Sequence, residues 1–267
     1  MPCFICITCG VQYANSDEPP DRCAVCEDER QFVGWGGQLW TTLEELREGH
    51  ENTFLQEEPG LVSIATKPFF GIGQRALLVV SESGSVLWDC TVLCREAVDR
   101  IEALGGITAI AISHPHFYSM VVEWSAALGD VPVYLHADDS EWVQRPDSRI
   151  VAWEGEALRI ATGITLVRCG GHFAGGSVLH WKAGAGGRGA LLTGDIIQVV
   201  QDRRWVSFMY SYPNLIPQSA ASVQRVSAAV EPYEFERIYG AWPGRMILED
   251  AKGAVKRSAE RYVLAIS

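Results

Sequence analysis

The chain has 267 residues, of which 48% are apolar and 21% charged, so it can bury the core of one large domain beside a small appendage. No stretch reaches the roughly 18 uninterrupted apolar residues of a membrane helix, and no basic and apolar leader opens the sequence, so we expect neither a membrane span nor an export signal. The net charge of −11 argues against nucleic-acid or anionic-membrane partners, although Arg203-Arg204 and Lys256-Arg257 are local basic pairs.

Five of the eight cysteines lie within the first 26 residues, and four of them form two Cys-x-x-Cys pairs, Cys6 with Cys9 and Cys23 with Cys26. This spacing lets both thiolates of a pair bind one ion, and two pairs complete a tetrahedral set. A segment of about 35 residues buries too little apolar area to fold alone. Residues 1–37 are therefore predicted to be a zinc-ribbon or rubredoxin-like module, with zinc preferred to iron. Two redox dithiols are the alternative, and Cys3 is left over.

Cysteines arranged for metal, in a chain without an export signal, predict a cytoplasmic protein. Gly34, Gly36 and Gly37 predict a linker, and residues 38–267 a second domain. Short apolar runs predict strands at 61–66, 75–80, 85–89, 108–112, 131–135 and 235–239, with further strands between 149 and 206. Apolar residues at helical spacing predict helices at 93–104, 120–128, 219–230 and 248–263. This order favours an α/β fold.

Two of the six histidines form Ser113-His114-Pro115-His116 at the end of the predicted strand 108–112. In an extended segment residues i and i+2 point the same way, so both imidazoles can reach one ion. Pro115 disfavours a helix at this position. We therefore predict an extended segment that presents a pair of metal ligands. A dinucleotide site is not expected, because Gly71-Ile72-Gly73 lacks a third glycine and a following helix.

Four motifs in order along the chain resemble landmarks of the metallo-β-lactamase superfamily. The motifs are Val86-Leu87-Trp88-Asp89, Ser113-His114-Pro115-His116, Gly170-Gly171-His172-Phe173 and Leu192-Thr193-Gly194-Asp195. They resemble the family's Asp-x-Gly strand end, the first half of its His-x-His-x-Asp-His motif, its Gly-His segment and its strand-ending Gly-Asp. The resemblance implies an αββα sandwich with His114, His116, His172 and Asp195 around a metal. It also implies that Asp89 fixes a ligand imidazole, with a strand-end cap as the alternative.

The sequence departs from the family at the second metal position. Tyr118 and Ser119 stand where the family has an aspartate and a histidine. The family's last histidine falls at Ala241 or Trp242, and neither side chain can bind a metal. The resemblance therefore implies one metal rather than two. For Tyr118 four roles stay open: an acid, a donor to an oxyanion, a plug of the second position, or a packed aromatic.

Several aromatic residues are expected to wall a pocket beside this metal. They are Phe69, Phe70, Phe208, Tyr210, Tyr212 and Trp242. In the family the loop that corresponds to Phe69 and Phe70 lies over the metal, and such a pocket suits a small or partly apolar substrate. Core packing is the alternative explanation for part of this set.

The expected function is that of a mononuclear metal-dependent hydrolase of a small ester, thioester or lactone. Asp195 would position water, Tyr118 would assist the leaving group, and the metal would be zinc, with iron as the alternative. Two other functions stay open: a mononuclear iron oxygenase of sulfur compounds, and a non-catalytic member of the fold that binds a ligand or partner. We expect a small-molecule substrate, no nucleic-acid or membrane partner, and leave homo-oligomerisation open.

Overall fold

The computed structural model describes all 267 residues, Met1–Ser267. The N-terminal part is a three-stranded antiparallel sheet with the strand order β2-β1-β3 and one short helix. Its elements are β1 (Cys3–Cys6), β2 (Gln12–Asn15), α1 (Ala24–Glu27) and β3 (Trp40–Thr41). Because β3 pairs with β1, the sheet includes residues that follow the glycine-rich stretch. We call residues 1–41 the cysteine module.

A seven-stranded sheet follows, with the strand order β10-β9-β8-β7-β6-β5-β4. Its strands are antiparallel from β4 to β7 and parallel from β7 to β10. The elements are α2 (Leu43–Gly49), β4 (Glu51–Glu58), β5 (Leu61–Lys67), β6 (Ala76–Val79), β7 (Val86–Trp88), α3 (Arg95–Ala103), β8 (Ala109–Ala111), α4 (Val121–Ala127), β9 (Val133–His136) and β10 (Ile150–Trp153), with 3₁₀ helices at Pro115–Phe117 and Ala137–Trp142.

The second large sheet has six strands in the order β11-β12-β13-β14-β19-β20. Two separate two-stranded sheets, β15-β16 and β17-β18, fall between β14 and β19 in the sequence. The elements are β11 (Ala157–Ala161), β12 (Ile164–Arg168), β13 (Ser177–Trp181), α5 (Gly184–Gly187), β14 (Ala190–Gly194), β15 (Gln198–Val199), β16 (Val206–Ser207), β17 (Met209–Ser211), β18 (Ile216–Pro217), α6 (Ala220–Val230), β19 (Arg237–Gly240), β20 (Met246–Ile247) and α7 (Ala251–Ile266). None of the helices combines the length and the apolar character that crossing a membrane requires.

Both sheets are covered on both faces, which produces four layers. In β6, Leu78 belongs to the core beneath α3 and α4, while its neighbour Leu77 belongs to the core between the sheets. In β14, Leu192 faces the inter-sheet core and Leu191 faces α6 and α7. Side chains alternate along a strand, so continuous apolar strands can serve two cores at once. The predicted αββα sandwich is confirmed.

The sequence-based strands and helices are confirmed to within a few residues at their ends, but several elements were missed and one local prediction was wrong. The missed elements include α2, whose capping box joins Thr42 and Glu45, the largely polar strand β4, and the short strands β17, β18 and β20. The segment after β8 is not extended throughout: His114 has extended backbone angles, but Pro115–Phe117 forms a 3₁₀ helix. Proline is well suited to the first position of a helix, where its missing N–H has no partner to lose.

Two glycines in the loop between β13 and β14 provide a matched test of this packing. Gly189 has φ +86°, and a Cβ there would lie 2.0 Å from the Glu234 carbonyl oxygen, whereas Gly187 has φ +91° and no atom within 4 Å. Both alanine variants incur the cost of a left-handed backbone, about 1–2 kcal/mol. We expect Gly189→Ala to lower the free energy of unfolding by about 1–3 kcal/mol more than Gly187→Ala, because the backbone must also shift. Urea denaturation measures the difference, and equal losses would contradict the packing described.

Candidate metal centre

The four cysteines of the cysteine module form a tetrahedral donor set. Their sulfur atoms lie within 4.8 Å of one another, with Cys6 and Cys26 3.6 Å apart and Cys9 and Cys23 3.7 Å apart. Metal–sulfur bonds of about 2.3 Å in a tetrahedron place sulfur atoms about 3.8 Å apart. All four are free thiols rather than disulfides. Hydrogen bonds from neighbouring thiols lower the pKa of Cys6, whereas burial raises the pKa of Cys9. The set fits one thiophilic metal ion.

A second donor set consists of three imidazoles and a carboxylate, from His114, His116, His172 and Asp195. One ligand atom from each lies within 4.8 Å of all the others. His172 Nε2 is 3.0 Å from His116 Nδ1, and His114 Nε2 is 3.2 Å from Asp195 Oδ1. Tetrahedral metal–nitrogen bonds of about 2.0–2.1 Å require donors about 3.4 Å apart. The residues that the sequence predicted as ligands are therefore brought together at distances that fit one ion. We call this set the His/Asp centre.

The same four residues are buried with unpaired polar atoms. They are between 1% and 4% exposed, and His114 Nε2, His116 Nε2 and Asp195 Oδ1 have no hydrogen-bond partner. A buried polar atom without a partner costs about 1–3 kcal/mol. Two of these atoms, His114 Nε2 and Asp195 Oδ1, lie 3.2 Å apart within the donor set, and a cation there would satisfy both.

Strand ends deliver the ligands. Asp89 follows β7 and Ser113 lies two residues after β8, at the shared end of two parallel strands of the first sheet. Asp195 directly follows β14 of the second sheet, and His172 lies in the loop between β12 and β13. Ser177 N–H donates to the Ser113 carbonyl at 2.9 Å, which joins the two sheets beside the centre. The His/Asp centre is thus assembled from both sheets.

Hydrogen bonds hold two of the imidazoles in place. His114 Nδ1 is 2.9 Å from Ser113 Oγ, and His172 Nδ1 is 3.2 Å from the Met209 carbonyl oxygen. In both rings this leaves Nε2 free to face the donor set. Such outer contacts fix the tautomer and the orientation of a ligand.

Asp89 acts on the backbone rather than on an imidazole. The expectation that it fixes a ligand ring is wrong: its Oδ1 accepts the backbone N–H of Ser113 at 2.8 Å, and the Ser113 hydroxyl contacts the His114 ring instead. Burial raises the pKa of Asp89 to about 7, although hydrogen bonds from Ser113 oppose this rise. Asp89 therefore supports the centre one residue away from the ligand.

Gly194 allows this arrangement. Its φ is +54°, and a Cβ there would lie 2.7 Å from Ser113 Oγ. A side chain at position 194 would displace the serine that orients His114. The strand-ending Gly-Asp pair therefore combines a close backbone approach with a metal ligand.

Burial also adjusts the protonation of the donors. It lowers the pKa of His114 and His116 well below the usual value and that of His172 to about 4. Neutral imidazoles are the form that binds metal. Burial, together with the charge of Asp89, raises the pKa of Asp195 to about 8. A divalent cation would supply the missing positive charge and favour the carboxylate.

The other predicted site residues do not form an open aromatic pocket. Phe208 was predicted there wrongly, because it is buried against α6 and α7 and contacts Tyr262. Phe69 is 70% exposed, and Phe70 packs against His50.

Tyr118, Tyr210 and Trp242 have other contacts. Tyr210 donates to Glu29 of the cysteine module, and Trp242 donates to the Ile72 carbonyl. Tyr118 is buried in the core with α4 and lines a small cavity with residues of the cysteine module, without a ring contact or a hydrogen bond to the imidazoles.

Other residues surround the donors, and of these only Tyr212 was among the aromatics predicted beside the metal. The Phe173 ring lies 4.8–5.6 Å from all three imidazole rings. Tyr212 donates its hydroxyl to the Asp195 carbonyl oxygen at 2.7 Å, and Asp139 accepts the backbone N–H of Gly175 at 2.8 Å. Arg30 reaches the centre from the cysteine module. Phe173 directly follows a predicted ligand and could have been found, but nothing in the local pattern marks Arg30.

The chain is 52% identical over 270 residues to the uncharacterized protein YmaE of Bacillus subtilis (strain 168), covering 100% of this chain and 98% of that protein. No protein-family model matches the sequence.

Solved structures show the fold. The DIM-1 metallo-β-lactamase matches with a TM-score of 0.61 at 12% identity, over 80% of this chain and 98% of its own. FIM-1 from Pseudomonas aeruginosa, in its mono-zinc form, matches with 0.59 at 15% identity, over 80% and 96%. The metallo-β-lactamase from Hirschia baltica matches with 0.54 at 15% identity, over 79% and 97%. The αββα domain therefore has the metallo-β-lactamase fold.

Metal content tests the two donor sets. We expect about two metal ions per chain, one of which is lost in His116→Ala, because that variant removes a donor from the His/Asp centre only. The matched control is His180→Ala, which removes a buried histidine that contacts the Glu234 carbonyl and should leave both ions bound. Elemental mass spectrometry counts the ions. Loss of neither ion in His116→Ala would contradict the assignment.

The support of His114 by Ser113 can be tested separately. We expect Ser113→Ala to weaken metal binding at the His/Asp centre about tenfold, because the imidazole loses the partner that fixes its orientation. Ser125→Ala is the control: it removes another buried hydroxyl, which donates to the Val131 carbonyl and belongs to neither donor set. Competition with a chromogenic chelator measures both affinities, and equal affinities would refute the role of Ser113.

Proposed function

The chain belongs to the family of Bacillus subtilis YmaE, and from this and its metallo-β-lactamase fold we propose a mononuclear metal-dependent hydrolase of a small ester, thioester or lactone. The observation that carries the proposal is the convergence of three neutral imidazoles and one carboxyl, with three unpaired polar atoms among them. Three histidines with one further position are a known hydrolytic zinc set. The donor types suit zinc better than magnesium or calcium, which prefer oxygen ligands.

His114, His116 and His172 would hold the zinc, with Asp195 beside them. When bound, zinc polarises a carbonyl oxygen and lowers the pKa of water. Asp195 can accept a proton from water, because its Oδ1 faces the donor set without a hydrogen-bond partner and a cation there would keep it ionised. If Asp195 instead completes a four-donor set, water must enter as a fifth ligand.

The surroundings of the centre support our proposal of a small-molecule substrate. Phe173 packs on the imidazoles, and Phe117 lies 4.4 Å from His114 between ring centroids, so the walls of the centre are apolar. Apolar walls exclude water and strengthen the attraction between a carbonyl dipole and a cation. Tyr118 has no part in this proposal, because it makes no contact with the donors.

The cysteine module would hold a second zinc with a structural role. Four thiolates leave no open position for a substrate. We propose that the cysteine module folds around this ion and that the residues after it carry the chemistry; the boundary at residue 37 expected from the sequence falls before β3, which pairs with β1. The free thiols suit a reducing compartment such as the cytoplasm.

Burial of the centre favours one other candidate, a member of the fold that binds a ligand or partner without turnover. All four donors are at most 4% exposed. A centre that stays closed would hold its metal for structure alone.

A substrate panel separates these candidates. We expect the zinc-loaded protein to hydrolyse at least one ester, thioester or lactone, with kcat/KM at least about 100-fold lower in His116→Ala, because a ligand of the Lewis acid is lost. His180→Ala should stay within about threefold of the parent protein. No turnover by protein that holds two metal ions would refute the hydrolase and favour the binding role, and oxygen uptake with a persulfide would favour the iron oxygenase.

A further inference from the structure

Residues 28–31, which we call the latch, connect the cysteine module to the His/Asp centre. Arg30 directs Nε and Nη2 at the two oxygens of Asp28, at 2.5 and 3.0 Å, and Nη1 at the His172 carbonyl oxygen at 3.2 Å. Its guanidinium carbon lies 3.9 Å from the centroid of the Phe173 ring. Arg30 therefore contacts the backbone of one donor and covers the ring that packs on all three imidazoles.

The metallo-β-lactamase domain holds the latch from the other side. Tyr210 donates its hydroxyl to Glu29 at 2.6 Å, and Ser211 donates to the Arg30 carbonyl at 3.1 Å. Asn214 donates to the carbonyls of residues 29 and 31, at 3.0 and 2.9 Å. These bonds run from a single short stretch, residues 210–214 at the end of β17, to consecutive residues of the latch. A contact made mainly of hydrogen bonds can open as a unit, because few apolar contacts would be lost.

The latch is also anchored to the four sulfur atoms. It begins at Asp28, directly after α1, which contains Cys26. Beyond the latch, Gln38 donates its amide to Cys6 Sγ at 3.2 Å. The stretch between Cys26 and Gln38 is thus tied at both ends to the cysteine donors. A small module of this kind keeps its shape through its metal.

We propose that the latch is the lid of the His/Asp centre and that metal on the four cysteines holds it shut. The centre is closed in this structure, and the latch covers the side formed by His172 and Phe173. Exchange of metal or ligand at the centre then requires the latch to open, and loss of the cysteine-bound metal makes opening easier. The inference rests on the metal-binding part of the proposed function but not on hydrolysis of any substrate.

The test follows cobalt leaving the two sites of the full-length protein, because thiolate-bound cobalt has a near-ultraviolet charge-transfer band that imidazole-bound cobalt lacks. After addition of excess chelator, we expect Arg30→Ala to lose cobalt from the His/Asp centre about tenfold faster than the parent protein. Arg22→Ala is the control, since this arginine of the same module is 76% exposed and makes only a 3.8 Å ion pair with Glu27. Equal rates for Arg30→Ala and Arg22→Ala would overturn the proposal.

Asn214→Ala releases the latch from the domain side, without any change in the cysteine module. It should also accelerate the loss of cobalt from the centre, which covers the case in which Arg30→Ala fails to fold. The double variant Cys23→Ala/Cys26→Ala removes the cysteine-bound metal and should accelerate release at least as much as Arg30→Ala. An unchanged rate in the double variant would refute control of the lid by that metal.

Hydrogen exchange supplies a readout that needs no metal at the centre. Backbone amides in residues 170–176 should exchange about tenfold faster in Arg30→Ala than in Arg22→Ala. If the protein holds metal on its cysteines only, the proposed function is refuted. The exchange difference between the two variants still decides whether the latch is a lid. Equal exchange in Arg30→Ala and Arg22→Ala would refute the lid.

Discussion

The burial of three imidazoles and a carboxyl side by side, with unpaired polar atoms among them, is the constraint on which the rest of the structure depends. His114 Nε2, His116 Nε2 and Asp195 Oδ1 lie away from water and have no protein partner. Such an arrangement is unfavourable unless the surrounding residues prevent every donor from turning away. Ser113 supplies that restraint for one ring and the Met209 carbonyl for another. A site of this kind is preorganised, because the protein has already met the cost of orienting its donors.

The fold explains how distant residues meet with such accuracy. Parallel strands β7 and β8 end at the same edge of one sheet, and β14 of the other sheet ends beside them. Gly194 lets the two sheets approach, since the space that its Cβ would need is taken by Ser113. Residues about 80 positions apart in sequence are then set by rigid strands rather than by loops, which keeps their relative positions within small limits.

The donors and the layers could be predicted from the sequence because both leave local signals: motifs at strand ends, and apolar periods of two or of three to four residues. Features that depend on contacts between distant segments leave no local signal in the sequence. Phe208 could equally have belonged to a pocket or a core, and only its packing against α7 decides. Asp89 has the expected position but a different partner, and Arg30 reaches His172 across 142 positions of sequence. The polar edge strand β4 was missed because it lacks a strong apolar pattern.

The origin of the donors in both sheets has a consequence for unfolding. His114 and His116 belong to the end of the first sheet, and Asp195 to the end of the second, so an ion held by all three acts as a crosslink across the sandwich. The sheets cannot separate while it stays bound, which couples their unfolding into one transition. Free metal at a thousandfold excess over its dissociation constant would add about 4 kcal/mol to the native state. The midpoint temperature of thermal unfolding then depends on the concentration of free metal around the protein.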